Sequence, residues 1–263
     1  MNDGPTMSAH LTPLRVERRH DGATLHLTLN RPKANIIDLA MMEAIEGALD
    51  AHLEPSVKAV VFEGAGPHFS FGASVAEHTA ERAAEMLARF HGLFRRLADE
   101  TVPTVALVRG QCLGGGMELA SWCTWIVASP DAHFGQPEIK LAVFPPMASL
   151  LLPWRVGGGR AADLCVSGRS IDAALALHVG LISAIAEDPA AWWCAFFDEH
   201  LADRSAAALR FADRAVRADL LASMDERLDE LEHLYLDELM GTHDANEGIA
   251  AFLEKRPPRF EHR

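Results

Sequence analysis

The sequence predicts an α/β fold with a helical tail. Short apolar runs alternate with helical patterns from Leu14 to about Ala186, and a Gly-Gly-Gly turn joins a strand-like run to a helix-like one at Gly114–Gly116. From Pro189 to the end the pattern is helical throughout. Strand, helix, strand, helix at this pace indicates parallel crossovers. The chain has 263 residues, 49% of them hydrophobic, which suffices for one full core with an appendage.

Leu14–His20 and Ala23–Asn30 flank a His-Asp-Gly turn, so they read as a hairpin. Leu25, Leu27 and Leu29 alternate with Thr24, His26 and Thr28, the pattern of a half-buried strand, and Asn30-Arg31-Pro32 ends it. Asp38 caps a helix in which Met41, Ile45, Leu49 and Leu53 share one face, and Pro55 closes it. Lys58–Phe62 reads as a short buried strand broken at Gly64–Pro67. The loop Phe69–Ser74 then leads into a long helix from about Ala76 to Asp99, bearing Met86, Leu87, Phe90, Phe94 and Leu97. Val102–Val108 and Trp125–Ala128 are strands on either side of the glycine turn.

Beyond Glu138, helices are expected at Arg160–Val166 and Ser170–Val179, with a last strand at Leu181–Ala186. Leu228, Leu231, Leu234, Tyr235 and Leu239 form an apolar stripe in the tail, to be buried on the chain's own body or on a neighbouring copy.

The glycine turn is the first candidate site. A strand, a glycine turn and a helix start bring bare backbone N–H groups to one spot, with the helix dipole behind them. No Lys-Ser/Thr follows the glycines as a phosphate loop requires, and GLGGGM is not G-x-G-x-x-G. Carboxyls follow instead: Glu118 in the first helical turn, and Glu138 after a Gly-Gln-Pro turn. Two carboxyls beside backbone donors suit general acid/base chemistry on an enolate or acyl oxyanion. Spacing alone leaves open a capping Glu and a solvated loop Glu.

Composition removes several classes. With 37 acidic against 24 basic residues the net charge is −13, which disfavours nucleic acid as a partner. The mild basic clusters at Arg15–Arg19, Arg89–Arg96 and Lys255–Arg263 read as solvated faces. Cys112, Cys123, Cys165 and Cys194 show no C-x-x-C spacing and read as structural thiols of a reducing cytosol. No metal is expected: His20, His26, His68, His78 and His91 lack ligand spacing and read as surface or turn residues. Residues 1–10 show no charged and apolar leader pattern, and the longest apolar run, Leu141–Leu152, is too short to span a bilayer. A cytoplasmic protein without membrane contact is the expectation. Trp122, Trp125 and Trp154 either line a ring-shaped pocket or pack in the core, and Ser74 and Ser149 have no evident triad partners.

GQCLGGGMELA, FGQPEIKLAVFP and FSFGAS resemble the crotonase (enoyl-CoA hydratase/isomerase) superfamily. The likeness runs in order from LTLNRPKANIID at Leu27–Asp38 to EGIAAFLEKRPPRF at Glu247–Phe260. The resemblance implies a crotonase-like spiral of ββα units over residues 1–190 that binds acyl-CoA. It also implies a C-terminal helical region over residues 191–263 that mediates trimers or dimers of trimers.

By the same resemblance, the N–H groups of Ala73 and Gly115 polarise the thioester carbonyl. Gly114 and Gly116 let the turn approach the thioester without a Cβ in the way. Glu118 and Glu138 match the paired acid/base carboxylates of the hydratases, with Glu138 as principal proton donor and Glu118 activating water. Ser74, Val75 and Ala76 match the adenine side of the CoA site, Phe252 and Lys255 match C-terminal positions that reach CoA, and Lys33 falls near the phosphates. CoA enters as part of the substrate, and no separate cofactor is implied.

Three departures stand out. The first loop continues Ala73-Ser74 where the family has Ala-Asp. Phe144-Pro-Pro-Met-Ala-Ser-Leu150 replaces a glycine-rich stretch, setting Met147 beside the expected acyl group. Cys123-Thr124 replaces Cys-Asp. FSFGAS, GQPEIKLAVFPP and ASLLLP together look most like hydratases of the cyclic thioester cyclohexa-1,5-diene-1-carbonyl-CoA. The alternatives are an ordinary 2-enoyl-CoA hydratase, an RNA-binding hydratase relative, which the acidic balance opposes, and a non-catalytic CoA-binding subunit, which both glutamates oppose.

Overall fold

The computed structural model describes residues 12–31 and 33–263. Residues 1–10, where no leader was expected, and Pro32 as a strand terminator lie outside the described residues. The hairpin is β1 (Leu14–Arg19) and β2 (Thr24–Leu29), paired antiparallel from Leu14 opposite Leu29 to Arg19 opposite Thr24. β2 then pairs parallel with β3 (Ala59–Gly64), β3 with β4 (Thr104–Val108), β4 with β6 (Trp125–Ala128) and β6 with β9 (Ala184–Ile185). The result is a six-stranded sheet in the order β1-β2-β3-β4-β6-β9.

A second sheet of three strands is made from β5 (Gln111–Leu113), β7 (His133–Gly135) and β8 (Ser170–Asp172). β4 and β6 thus each turn into a short strand before the next helical element. β4 bends at Gly110 (φ +54°) into β5 and then α3 (Gly115–Trp122), while β6 leads into β7. That repeated ββα step winds the chain into a spiral, and three-residue strands are too short to show periodicity in sequence.

α1 (Leu39–His52) begins where expected: Asp38 accepts the Met41 N–H at 2.9 Å, and Met41, Ile45 and Leu49 are buried. The long helix is shorter than expected. A 3-10 turn, Val75–Glu77, stands apart from α2 (Ala83–Glu100), whose Met86, Leu87, Phe90, Phe94 and Leu97 are all buried. Asp172 closes β8 and accepts the Leu175 N–H to start α6 (Ala173–His178), so the helix expected from Ser170 begins three residues later. Of the strand expected at Leu181–Ala186, only Ala184–Ile185 pairs. The apolar run Leu141–Leu152 divides between a 3-10 turn (Pro137–Leu141) and α4 (Pro146–Val156), which Pro146 opens at the first helical position. α5 (Gly158–Ser167) follows.

β2 differs from expectation: all six of its residues are buried, not every second one. Its leucines face the main core, and the other side of the sheet is covered by α7 (Pro189–His200), where Trp193 and Phe197 pack on Val61, Val105 and Val127. His26 is therefore a core histidine, 1% exposed, with neither ring nitrogen hydrogen-bonded among the described residues. Burial pushes it down to about 3, so it is neutral. His91 is also buried, its Nδ1 2.6 Å from Glu232.

The expected boundary near residue 190 falls at the start of α7. Beyond it lie α8 (Ala206–Val216), α9 (Ala218–His233), a π-helical turn (Leu234–Glu238), a 3-10 turn (Leu239–Gly241) and α10 (His243–Leu253). Leu228, Leu231 and Tyr235 of the tail stripe bury into the chain's own core, while Leu234 stays 43% exposed. The basic clusters are largely neutralised by carboxylates: Arg18 by Glu54, Arg95 by Asp225 and Asp229, Arg96 by Asp50 and Glu100, Arg256 by Glu247. No helix among the described residues is long and apolar enough to cross a membrane.

Candidate active site

Two loops meet at the start of α3. The first, Ser70–Ser74, is braced by Asn35: its Nδ2 donates to the Ala65 and His68 carbonyls at 2.9 Å each, and its carbonyl accepts the Ser70 Oγ at 2.8 Å. The Ile37 N–H donates to Gly72 O at 3.0 Å and fixes the loop's far end. The second loop is the glycine turn. Gly114 takes φ +50° and ψ −130°, a backbone that side-chain-bearing residues avoid, and its N–H donates to Gly135 O at 2.9 Å.

The loops touch so closely that side chains have no room. A Cβ on Gly116 would lie 2.6 Å from the Ser70 Cβ, and one on Gly114 2.6 Å from Oε1 of Glu138. A Cβ on Gly115 would sit 3.0 Å from Ala73 N, which places the two expected carbonyl-binding amides side by side. Among the described residues, neither the Ala73 nor the Gly115 N–H donates to a protein acceptor. Two free donors at a helix start suit a developing oxyanion.

Glu118 is one turn into α3 and 4% exposed. Its Oε1 accepts the Ala148 N–H, at the start of α4, at 2.7 Å. Burial raises it to about 7, against the opposing effect of the Ala148 and Met147 amides. Glu138, on the 3-10 turn, is raised well above the usual carboxylate range by burial and then by the charge of Glu118. The amide nitrogen of buried Gln136, in the orientation that satisfies both groups, lies 3.1 and 3.2 Å from the two Glu138 oxygens. Burial raises both carboxyls and the charge of Glu118 raises Glu138 further, so Glu138 is the better placed to hold a proton and act as acid while Glu118 acts as base.

The far end of α3 is equally fixed. Arg155 donates to the Ser121 and Cys123 carbonyls at 3.0 and 2.6 Å, and Arg217 donates to Trp122 O at 2.8 Å. Two buried guanidinium groups thus hold the helix's terminal carbonyls and oppose its negative dipole end. Thr124, which stands where an acid was expected, donates to Asp213 of α8 at 2.8 Å and accepts from Arg217 at 3.1 Å. The carboxylate comes from another helix.

A cavity of about 590 Å³ opens onto this centre. Ala73, Ser74, Val75, Ala76, Gly114, Glu138 and Phe252 lie on its wall, together with Ala34, Ile36, His78, Lys140 and Leu253, which sequence reasoning did not single out. Gly115, Gly116 and Glu118 lie behind the wall, buried in α3. Met147 does not face the cavity: it is the second residue of α4, its side chain is 0% exposed in the core, and only its amide turns toward Glu118. Lys33 and Lys255 are also off the wall. Both side chains stand in solvent, and Lys255 follows the end of α10 in a left-handed conformation (φ +56°). Phe252 reaches the cavity of its own chain, because α10 packs against the 3-10 turns Val75–Glu77 and Pro137–Leu141. Trp122, Trp125 and Trp154 are all absent from the wall. Gln136 stood next to the Pro-Glu pair in sequence, whereas His78, expected as a surface or turn histidine, lines the cavity with its Nδ1 2.8 Å from Ser74 O.

Residues 19–263 match the enoyl-CoA hydratase/isomerase family. The chain is 53% identical over 258 residues to the cyclohexa-1,5-dienecarbonyl-CoA hydratase of Thauera aromatica, covering 98% of this chain and 100% of that one. It is 37% identical to a probable enoyl-CoA hydratase of Mycobacterium tuberculosis, over 90% of this chain and 94% of the relative. Among solved structures, an enoyl-CoA hydratase from Mycobacterium avium superposes with a TM-score of 0.83 at 28% identity, covering 96% of this chain and 99% of the other. The chain therefore belongs to the enoyl-CoA hydratase/isomerase family, and its fold is the crotonase fold.

Proposed function

We propose that this protein hydrates a cyclic conjugated dienoyl-CoA, converting cyclohexa-1,5-diene-1-carbonyl-CoA to 6-hydroxycyclohex-1-ene-1-carbonyl-CoA in anaerobic aromatic degradation. The observation that carries the hydration is the pair of buried carboxyls, Glu118 and Glu138, beside two unpaired amides at one end of an acyl-sized cavity. The similarity to the Thauera aromatica hydratase supports the cyclic substrate.

In this reading the thioester oxygen accepts the Ala73 and Gly115 N–H groups. Glu118 takes a proton from water, whose oxygen bonds to the ring β-carbon. The electrons of that double bond pass through the ring into a dienolate, held at the two amides. Glu138 then gives its proton to the far end of the diene as the carbonyl re-forms. One proton is taken and one given, so the pair ends with its proton exchanged between members. Each oxyanion donor of this kind contributes about 3–4 kcal/mol to the transition state. The reaction needs no cofactor beyond the CoA that the substrate carries.

The test is turnover of the cyclic dienoyl-CoA and of crotonyl-CoA by wild type and Glu138→Gln. Turnover of the diene, with a loss of about 10²-fold or more in the variant, is expected. Turnover of crotonyl-CoA alone would overturn the cyclic substrate and leave an ordinary enoyl-CoA hydratase.

A further inference from the structure

The two amides assigned to the thioester oxygen come from different loops, and the loops are not held equally. Gly115 opens α3, and its turn is tied back by the Leu113 N–H on Ser70 O and the Gly114 N–H on Gly135 O, each at 2.9 Å. Ala73 has less support. Before it, a single parallel bridge to Ile37 holds the chain, with the Ile37 N–H on the Gly72 carbonyl at 3.0 Å. After it, the Ser74 carbonyl accepts the Glu77 N–H at 2.9 Å, which begins the 3-10 turn Val75–Glu77. A 3-10 turn of three residues has poor hydrogen-bond geometry and makes a weak anchor. Ser74 does not strengthen it, since its side chain makes no capping bond.

His78 supplies the missing tie. It ends the turn, and its ring folds back so that Nδ1 lies 2.8 Å from the same Ser74 carbonyl. A carbonyl oxygen only accepts, so Nδ1 carries the hydrogen. Burial holds the imidazole below its ordinary value against the opposing effect of that carbonyl, so the bond is made by a neutral ring. The ring also forms part of the cavity wall, on the surface that a bound thioester would fill.

The need for a tie on this side follows from Gly72. It takes φ +102°, a conformation open to glycine, and it is the natural pivot for the peptide that carries the Ala73 N–H. A side chain cannot stiffen that pivot, because a Cβ on Gly72 would lie 2.9 Å from the Leu113 carbonyl and 3.0 Å from the Gly115 nitrogen. Stiffness has to come from beyond Ala73. We propose that His78 is a positioning residue for the oxyanion site: its Nδ1–H fixes the Ser74 carbonyl and so aims the Ala73 amide at the oxygen that Gly115 also binds. The inference rests on the hydratase reading for the role of the two amides.

His78→Phe keeps a ring in the wall and removes the tie, while His78→Asn can present an amide N–H where Nδ1 stood. On the cyclic dienoyl-CoA, kcat is expected to fall about 10-fold in His78→Phe with KM within about twofold, and to recover to within about threefold of wild type in His78→Asn. An unchanged kcat in His78→Phe, or an Asn variant as impaired as the Phe variant, overturns the proposal. A second readout needs no turnover. The saturated thioester cyclohexanecarbonyl-CoA, 13C-labelled at its carbonyl, reports on the two amides through its infrared stretch. Binding to wild type is expected to lower that frequency, because both donors polarise the bond. In His78→Phe the bound frequency is expected to move back toward the free value, and in His78→Asn to return to that of wild type. His78→Leu serves in place of the Phe variant where the phenyl ring is not accommodated. A wild-type frequency in the bound Phe or Leu variant overturns the role of His78 even if hydration is confirmed and kcat falls. A wild-type protein that binds the thioester without lowering its frequency overturns the oxyanion reading itself, and the role of His78 with it.

Discussion

Glu118 ties the chemistry of the site to the stability of the fold. Its carboxyl stands at about 7 in the folded protein, against about 4.3 in an unfolded chain. Between those pH values the native state holds more of this proton than the unfolded state does. Stability therefore falls as pH rises through that window and does not recover above it. Glu138 is raised as well and acts with the same sign. Glu118→Gln is neutral at every pH, so it is expected to exceed wild type in stability at about pH 8 by on the order of 2 kcal/mol, with the gain vanishing toward about pH 4. Urea unfolding at both pH values checks this, and a gain equal at both would assign the effect to packing instead of ionisation. Glu118 and Glu138 could be picked out in the sequence because glycines and a proline mark the turns that hold them. His26 could not. Its alternation with leucines describes a one-faced strand, and only the coverage of the second face by α7 makes it a buried neutral histidine. Tyr235 shares that limitation, since it packs on Phe144, a residue distant in sequence.

At the scale of elements, α10 shows how a helix far along the chain completes a cavity built near its beginning. Gly248 lies against the Leu141 carbonyl, and a Cβ there would collide with that backbone. The close approach seats α10 on the Pro137–Leu141 turn and brings Phe252 and Leu253 to the cavity wall. Gly248→Ala is expected to displace the helix, lower stability by about 1–3 kcal/mol and raise KM for the acyl-CoA roughly 10-fold. Glu118 sits on α3, but Glu138 shares the Pro137–Leu141 turn with the Leu141 carbonyl, so kcat stays nearly constant only where the helix, and not the turn, gives way. Steady-state kinetics separate the two, and a fall in kcat at constant KM would show that α10 acts on the chemistry. The larger elements were legible because α1 and α2 carry helical periodicity, β2 alternates, and β3 and β4 are largely apolar runs. The second sheet was not, because β5, β7 and β8 have three residues each and are held by neighbours rather than by pattern. The early break before α2 was equally hidden: residues 75–77 suit a helix, yet the turn that follows them separates two helical pieces.

For the whole molecule, the open question is what covers α8. The helix buries none of its residues, and Phe211 and Val216 are 70% and 76% exposed. Burying two such side chains between copies would contribute on the order of 1.5–3 kcal/mol for each. Another copy of this chain is the occupant that the family resemblance implies, as a trimer or a dimer of trimers. Charge sets a condition on that assembly. Each chain carries a net −13, so copies brought together repel unless salt screens them. Association is therefore expected to strengthen as ionic strength rises, the opposite of the salt dependence of nucleic-acid binding. Sedimentation at low and physiological salt should show the larger species favoured at the higher salt, and the double change Phe211→Asp with Val216→Asp should shift it to smaller ones. Because Phe252 reaches the cavity of its own chain, the separated copies are expected to keep binding acyl-CoA. A wild-type protein that sediments as a monomer at every salt concentration would mean that α8 faces water, and loss of acyl-CoA binding in the double variant would mean that the site depends on a neighbour.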